Sequence, residues 1–428
     1  MNILFICEAF PPDTVIGGIR PFMFAKYMML LGHNVTIINS GKCFSKTVDS
    51  FDSYLARLEI YSAYSLTQNS SQNSIEQKKK NYPGFIKRIY CGVNETVSVI
   101  SNKKHFNELY HKQQVIIDSL SGRHFDVVFS TYSPVASIYS GEYAARKFNC
   151  KWILDFRDAL VQPNLRTWLW NFMYYNTQKR AVEKCDLCTV VSNGVGRMVS
   201  VGTRHSNIVT LYNGYDSFES KTEPHLFQEL SLCYTGGIYG ERMKAFKRVL
   251  KAIAVLKDEA IIKLENVRIN YAGSQSESLR SEMRQLGLEQ ILHEHGFLSV
   301  SQCEALQRNS DIFLVLSWNT KKEQGILTGK FYEGVRAKMP MIVSVVGDTP
   351  YSELSELNSE YHYGVCDEEA LGDSSLRLLC DFIRQRYDEK MKYGRLNYVQ
   401  DPRLTEKFKY ENLTREFESL CSNILNND

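Results

Sequence analysis

Two glycine pairs and the charged residues near them carry most of the chemistry this sequence offers. Gly17-Gly18 stands in CEAFPPDTVIGGIRP and Gly236-Gly237 in YTGGIYGERMKAFK, each after a short apolar run and before a helical stretch. Glycine has no Cβ, so backbone N–H groups at such a turn can approach an anion, and the N-terminus of the next helix favours negative charge. Arg242 and Lys244 fall at the start of the second of these helices, where the helix dipole does not favour cations. A bound diphosphate would account for them; solvated surface charge is the plain alternative. Neither loop is G-x-G-x-x-G, and the first places its glycines about ten residues beyond the strand, too far for the tight dinucleotide turn.

A third group lies in GILTGKFYEGVRAKMPMIVSVV, residues 325–346. At roughly 100° per residue, Lys330, Glu333, Gly334 and Ala337 share one helical face, and Phe331, Val335 and Met339 the opposite one. A surface Lys–Glu pair contributes only about 0.2–0.5 kcal/mol. That explains the two charges but not the small neighbours, which would leave room for a ligand. Asp158, in DFRD at the end of a strand, is the first candidate for a proton acceptor, with Asp13 second; pairing with Arg157 or capping the next helix is the alternative for Asp158. No D-x-D occurs in the chain, so a metal-bridged diphosphate has no obvious ligands. The Cys185-x-x-Cys188 pair lacks the second pair that structural zinc requires, and it reads as a buried strand edge.

The elements that would position these residues alternate. NILFIC (2–7), VTIIN (35–39), DVVFS (126–130), KWILDF (151–156) and LCTVV (187–191) are strand-like, with helical stretches between them; one helix runs from about Pro21 to a Gly32 stop. LCYT (232–235), VRINYA (267–272), IFLVL (312–316) and MIVSVV (341–346) repeat the pattern after a polar linker near 211–225. The expected fold class is α/β, two Rossmann-like doubly wound parallel sheets facing across a cleft. The pattern weakens over about 41–120, an elaborated insertion. At the end, Tyr410, Leu413, Phe417, Leu420 and Ile424 form a helical stripe that needs a surface to cover.

The totals exclude several classes. With 428 residues, 43% hydrophobic and 23% charged, the chain is sized for two or three globular domains. A net charge of +3, with no basic block longer than Lys78-Lys79-Lys80, argues against nucleic acid. No apolar run approaches the roughly 18 residues of a spanning helix, and the N-terminus reads as a strand and not as a signal peptide. Eleven scattered cysteines fit a reducing cytosol.

Taken together and in order, FPPDTVIGGIRP, GHNVTIIN, DFRD, YNGYD, YTGGIYGER and GKFYEGVRAKMP resemble the retaining nucleotide-sugar glycosyltransferases of family 4, of the surface-polysaccharide type, with the GT-B fold. The resemblance covers most of both halves and fails over about 41–120. It implies an acceptor-side domain over 1–215, a nucleotide-sugar-binding domain over 216–400, and a last helix, 401–428, crossing back to the first. It implies no cofactor and no metal, a UDP- or GDP-sugar donor, and a glycan or lipid-linked acceptor. The donor-binding set is then Gly17, Gly18, Gly236, Gly237, Tyr239, Gly273, Phe297, Lys330 and Glu333, with Asp158, Arg242 and Lys244 catalytic. Family members often carry E-x7-E, the second Glu binding the ribose hydroxyls. Glu333 takes that place, but Gly325 stands where the first Glu would, and Glu323 and Gln324 are out of register. Related surface-polysaccharide transferases often lack that Glu. Thr131-Tyr132-Ser133-Pro134 replaces the family's usual His, and His33 is assigned to packing.

A lipid-linked acceptor would make peripheral contact with the inner face of the cell membrane useful. KKKNYPGFIKR (78–88), which mixes cations with aromatics, is the first candidate, and RTWLWNFMYYNTQKR (166–180) is the second. The competing readings are an epimerase of the same fold, a nucleotide-sugar-binding pseudoenzyme, and an NAD-dependent oxidoreductase, which lacks its glycine fingerprint here.

Overall fold

A computed structural model describes residues 1–11, 16–41, 52–64, 103–163, 167–204, 207–216, 226–274 and 276–426. The candidates Asp13 and 78–88 lie outside these. The chain forms two compact units, Met1–Tyr212 with Leu413–Asp428, and Asn213–Asn412.

The first unit is built on a seven-stranded sheet: β1 (Asn2–Ile6), β2 (Asn34–Asn39), β3 (Glu59–Ser62), β4 (Val127–Tyr132), β5 (Lys151–Phe156), β6 (Leu187–Val190) and β7 (Ile208–Thr210). Their order is β3-β2-β1-β4-β5-β6-β7, with every pairing parallel. The central strands are almost wholly buried, mostly apolar runs because helices cover both faces of a parallel sheet. β3 and β7, at the edges, are half-exposed and carry no such run. Part of the stretch read as an insertion therefore belongs to the sheet. Residues 103–119 of that stretch are helical, and Leu109 and Ile117 from it are buried in the core. The helix after the first glycine pair is Ile19–Leu30, two residues earlier than expected, and Gly32 beyond it has φ +89°.

The last helix, Tyr410–Asn426, joins this unit from residue 413 onward. Phe417 is fully buried, 5.0 Å from the Phe129 ring and 5.3 Å from that of Phe24. Leu413 and Cys421, one turn to either side of Phe417, are buried with it, while Leu420 and Ile424 of the expected stripe are half-buried. His33 bonds to Glu418 of this helix at 2.6 Å, a packing role.

The second unit has six strands: β8 (Leu230–Thr235), β9 (Val267–Ala272), β10 (Leu292–Glu294), β11 (Ile312–Trp318), β12 (Met341–Val346) and β13 (Gly364–Glu368). Their order is β10-β9-β8-β11-β12-β13, again all parallel. The order reverses between β8 and β11. In open parallel sheets, the crevice for a ligand lies outside the carboxyl ends of the strands at such a reversal.

Candidate functional site

Thr235 closes β8 at that carboxyl end and is 2% exposed. Gly236 follows with φ +141°, a conformation that favours glycine, and its N–H donates to the Ala272 carbonyl at 2.7 Å. Gly273, just after β9, faces it. A Cβ on Gly273 would stand 2.2 Å from the Gly236 carbonyl oxygen and 2.4 Å from the Tyr271 hydroxyl. The two loops touch backbone to backbone, and only glycine permits that. Beneath them the Tyr234 and Tyr271 rings lie parallel, centroids 6.4 Å apart, and the Tyr234 hydroxyl donates to the Gly237 carbonyl at 3.3 Å.

Two helices complete the cluster. Gly329–Ala337 connects β11 to β12 and carries Lys330 and Glu333. Val300–Arg308 precedes β11 and carries Gln307; Ser299 and Gln302 fix its start in a reciprocal capping box. The Lys330 ammonium donates to both Glu333 oxygens, at 2.6 and 2.7 Å, and to Thr235 Oγ1 at 3.4 Å. Gln307 Nε2 donates to Thr235 Oγ1 and to Glu333 Oε2, both at 2.9 Å. Thr235, Gln307, Lys330 and Glu333 thus close a ring of hydrogen bonds. Its floor is buried and its rim is open, with the Lys330 and Glu333 side chains 26% and 29% exposed. Burial pushes the Cys233 thiol up to about 12 and raises the Cys303 thiol and Tyr234 phenol as well. Those neighbours stay neutral, so Lys330 and Glu333 supply the charge.

Gly334 is not on the ligand-facing side. It is buried against the sheet, and a Cβ there would meet Met341 Sδ at 2.5 Å and Phe313 Cδ1 at 3.1 Å. The small residue serves close helix–sheet packing, and the room left for a ligand comes instead from Gly236 and Gly273. A helical wheel groups residues by angle but does not mark where the sheet lies.

The other residues singled out in the second unit are placed differently. Lys244 is exposed and pairs with Glu241 on its own helix, Glu241–Asp258, at 2.8 Å. Glu241 in that first turn already supplies the negative charge the helix start favours. Arg242 donates to the Tyr239 hydroxyl at 2.9 Å and lies 4.9 Å from that ring's centroid. Tyr239 and Phe297 are exposed, and neither joins the ring of bonds. Glu323 is buried and accepts from Trp318 Nε1 at 3.0 Å, while Gly325 has φ +70°. Thr235 and Gln307 were missed in the sequence. Thr235 had a signal, being the last strand residue before Gly236; Gln307 had none.

In the first unit, Arg157 of DFRD spends its guanidinium on backbone carbonyls. Nε donates to Tyr132 at 3.1 Å, Nη2 to Ser133 at 3.2 Å, and Nη1 to Gly17. A Cβ on Gly17 would stand 2.4 Å from Nη1, and one on Gly18 would stand 3.2 Å from the Ala9–Phe10 backbone. A side chain at Gly17 would displace the Arg157 guanidinium, and one at Gly18 would press on the Ala9–Phe10 backbone. Asp158 is exposed beyond β5. The buried carboxylate is Asp155, which binds Arg20, Thr131 and Thr189. The helix Trp168–Lys184 buries Trp170 and Tyr174 but exposes Trp168 (74%) and Phe172 (75%), with Met173 and Tyr175 also exposed. Cys188 lies buried in β6 and Cys185 is buried just before it.

Two Rossmann-like parallel-sheet units in one α/β chain define the GT-B architecture. Solved structures share it. The lipopolysaccharide outer core galactosyltransferase WaaB, in its apo form, superposes with a TM-score of 0.59 at 13% identity, covering 99% of both chains. Sucrose-phosphate synthase from Thermosynechococcus elongatus gives 0.58 at 12%, again over 99% of both. The Anabaena protein HepE, in complex with UDP and glucose, gives 0.53 at 10%, over 99% of this chain and 100% of that one. At such identities the likeness establishes the fold. No family model matches the chain, and no curated protein matches it either.

Proposed function

We propose that this chain is a glycosyltransferase that moves a sugar from a UDP- or GDP-sugar to a glycan or lipid-linked acceptor in surface polysaccharide synthesis. The observation that carries the reading is the Thr235–Gln307–Lys330–Glu333 ring at the carboxyl end of β8, beside the Gly236–Gly273 backbone contact. Breaking the bond from the anomeric carbon to the diphosphate builds negative charge on the leaving group. A cation beside a glycine turn is the preorganised electrostatics that such a step needs. Lys330 is the best-placed cation for it, beside the Gly236 turn and half-buried where Lys244 is exposed, and Arg242 lies in the first turn of the helix that follows the same loop. Glu333 accepts hydrogen bonds from the ribose hydroxyls. The fold neighbours include a galactosyltransferase and a protein crystallised with UDP and glucose, which agrees with this donor class.

Metal independence rests on the missing D-x-D motif, and retention of anomeric configuration rests on the family resemblance. The exposed Trp168 and Phe172 favour a lipid-linked acceptor met at a membrane surface, because aromatic rings partition to the interface. One observation favours a second reading, a sugar-nucleotide-binding protein without turnover: Gly325 replaces the first Glu, and Glu323 is engaged with Trp318. Thermal shift against a panel of UDP- and GDP-sugars, followed by an assay of donor hydrolysis, tests both. Stabilisation by one donor with slow hydrolysis is the result for the enzyme. Stabilisation without hydrolysis is the result for the binding protein. No stabilisation by any donor removes both.

A further inference from the structure

We infer that Gln307 is the positioning residue of this site: it holds the Glu333 carboxylate in place when a diphosphate draws Lys330 away. The inference rests on the nucleotide-sugar reading and adds a role to it. Lys330 lies almost equally close to the two Glu333 oxygens, at 2.6 and 2.7 Å. An ammonium is a compact charge on a flexible stem, so this pairing alone does not fix the rotation of the carboxylate plane. Gln307 breaks the symmetry, because its amide nitrogen bonds Oε2 alone, at 2.9 Å.

Gln307 is itself well fixed. It is 2% exposed and its second amide proton goes to Thr235 Oγ1 at 2.9 Å. The carboxylate also settles which end of the amide faces it, since the opposite flip would set oxygen against oxygen. Gln307 thereby joins the end of β8 to the helix Gly329–Ala337 through its side chain. Lys330 is the partner able to move: its ammonium rides on a flexible four-carbon stem, whereas the Glu333 carboxylate is also held by Gln307. Once the ammonium turns to phosphate oxygens, the Glu333 carboxylate loses its two shortest bonds. The Gln307 bond then remains to keep Oε2 inward and Oε1 toward the ribose.

Two variants of the full chain test this, Gln307→Met and Gln307→Glu, each with its melting temperature checked against wild type. The first removes the donor at similar length; the second presents an oxygen to Oε2. Crystal structures without nucleotide read the positioning directly, and titration with UDP and with GDP reads its consequence. The expected result is a rotated or disordered Glu333 carboxylate in both variants. Affinity for the nucleotide that wild type binds should fall about ten-fold in Gln307→Met, and further in Gln307→Glu. Combining Gln307→Met with Glu333→Gln should add little to the loss from Glu333→Gln alone. A Glu333 carboxylate unmoved in both variants overturns the inference, as does wild-type affinity in Gln307→Glu. If the carboxylate moves but wild type binds neither UDP nor GDP, the positioning role stands and the donor reading fails.

Discussion

Arg20 and Asp155 form a buried, two-pronged ion pair, with Nη2 to Oδ1 at 2.8 Å and Nε to Oδ2 at 3.1 Å, and side chains 3% and 0% exposed. The carboxylate also accepts from Thr131 at 2.9 Å and Thr189 at 2.8 Å, while the guanidinium reaches the carbonyls of Leu211 and Tyr212. The pair therefore ties β4, β5 and β6 to Leu211 and Tyr212, just beyond β7. Replacing Asp155 with Ala strands a buried guanidinium, a loss of about 3–5 kcal/mol. Urea unfolding should show it. Converting both residues to apolar ones of similar volume should cost much less than the single change.

Two glycines near the site should respond in opposite ways. Gly334→Ala forces Met341 and Phe313 to shift and destabilises the second unit by about 1–3 kcal/mol, while leaving the loops at the carboxyl ends in place. Gly273→Ala cannot be accommodated without moving the Gly236 backbone, 2.2 Å from the new Cβ. Nucleotide binding should then vanish in Gly273→Ala and survive in Gly334→Ala, as read by isothermal titration beside a thermal melt.

Lys330 and Glu333 should separate in kinetics. Lys330→Met removes a cation that acts on charge developing in the transition state, and kcat should fall by about 100- to 1,000-fold. Glu333→Gln should raise KM for the donor more than it lowers kcat, because ribose binding is shared by ground and transition states. Lys244→Ala should cost less than Lys330→Met. The reverse ranking would move the leaving-group contact to the helix Glu241–Asp258.

The exposed face of the helix Trp168–Lys184 makes a prediction about membranes. Replacing Trp168 and Phe172 with Ser should weaken sedimentation with anionic lipid vesicles by roughly ten-fold or more, since each ring would otherwise be buried among lipid. Unchanged sedimentation removes this face from consideration. Deleting 65–90 is the parallel test for the basic stretch 78–88; if vesicle binding survives that deletion, those residues do not carry the contact.

The legible part of the fold was the part whose stability comes from apolar burial. β1, β4, β5, β8, β9, β11 and β12 are predominantly apolar, and each was placed to within two residues, the two-residue misses falling at the N-terminus of β8 and the C-terminal ends of β4 and β11, where polar residues are buried. Strands β3, β7 and β10 lie at sheet edges, half-exposed, and leave no such trace. β13 reads GVCDE, too polar to find. Asp367 is buried there because Arg248, well over a hundred residues earlier, grips both of its oxygens at 2.6 and 2.7 Å, and Glu368 because it accepts from the Tyr351 and Ser352 amides at 2.7 Å. Within the site, Lys330 and Glu333 were legible because they stand one helical turn apart. Gln307 was not, because its partners come from a strand and a helix that only the folded sheet brings together.

Phe417 leaves a mark on biosynthesis as well as on packing. The ring that packs against both Phe24 and Phe129 leaves the ribosome after the whole second unit. Until then Phe24 and Phe129 have each other and Phe5 but lack this packing partner, and such incompletely covered apolar surface is prone to association. The core of the first unit therefore cannot be completed until the second unit has been translated.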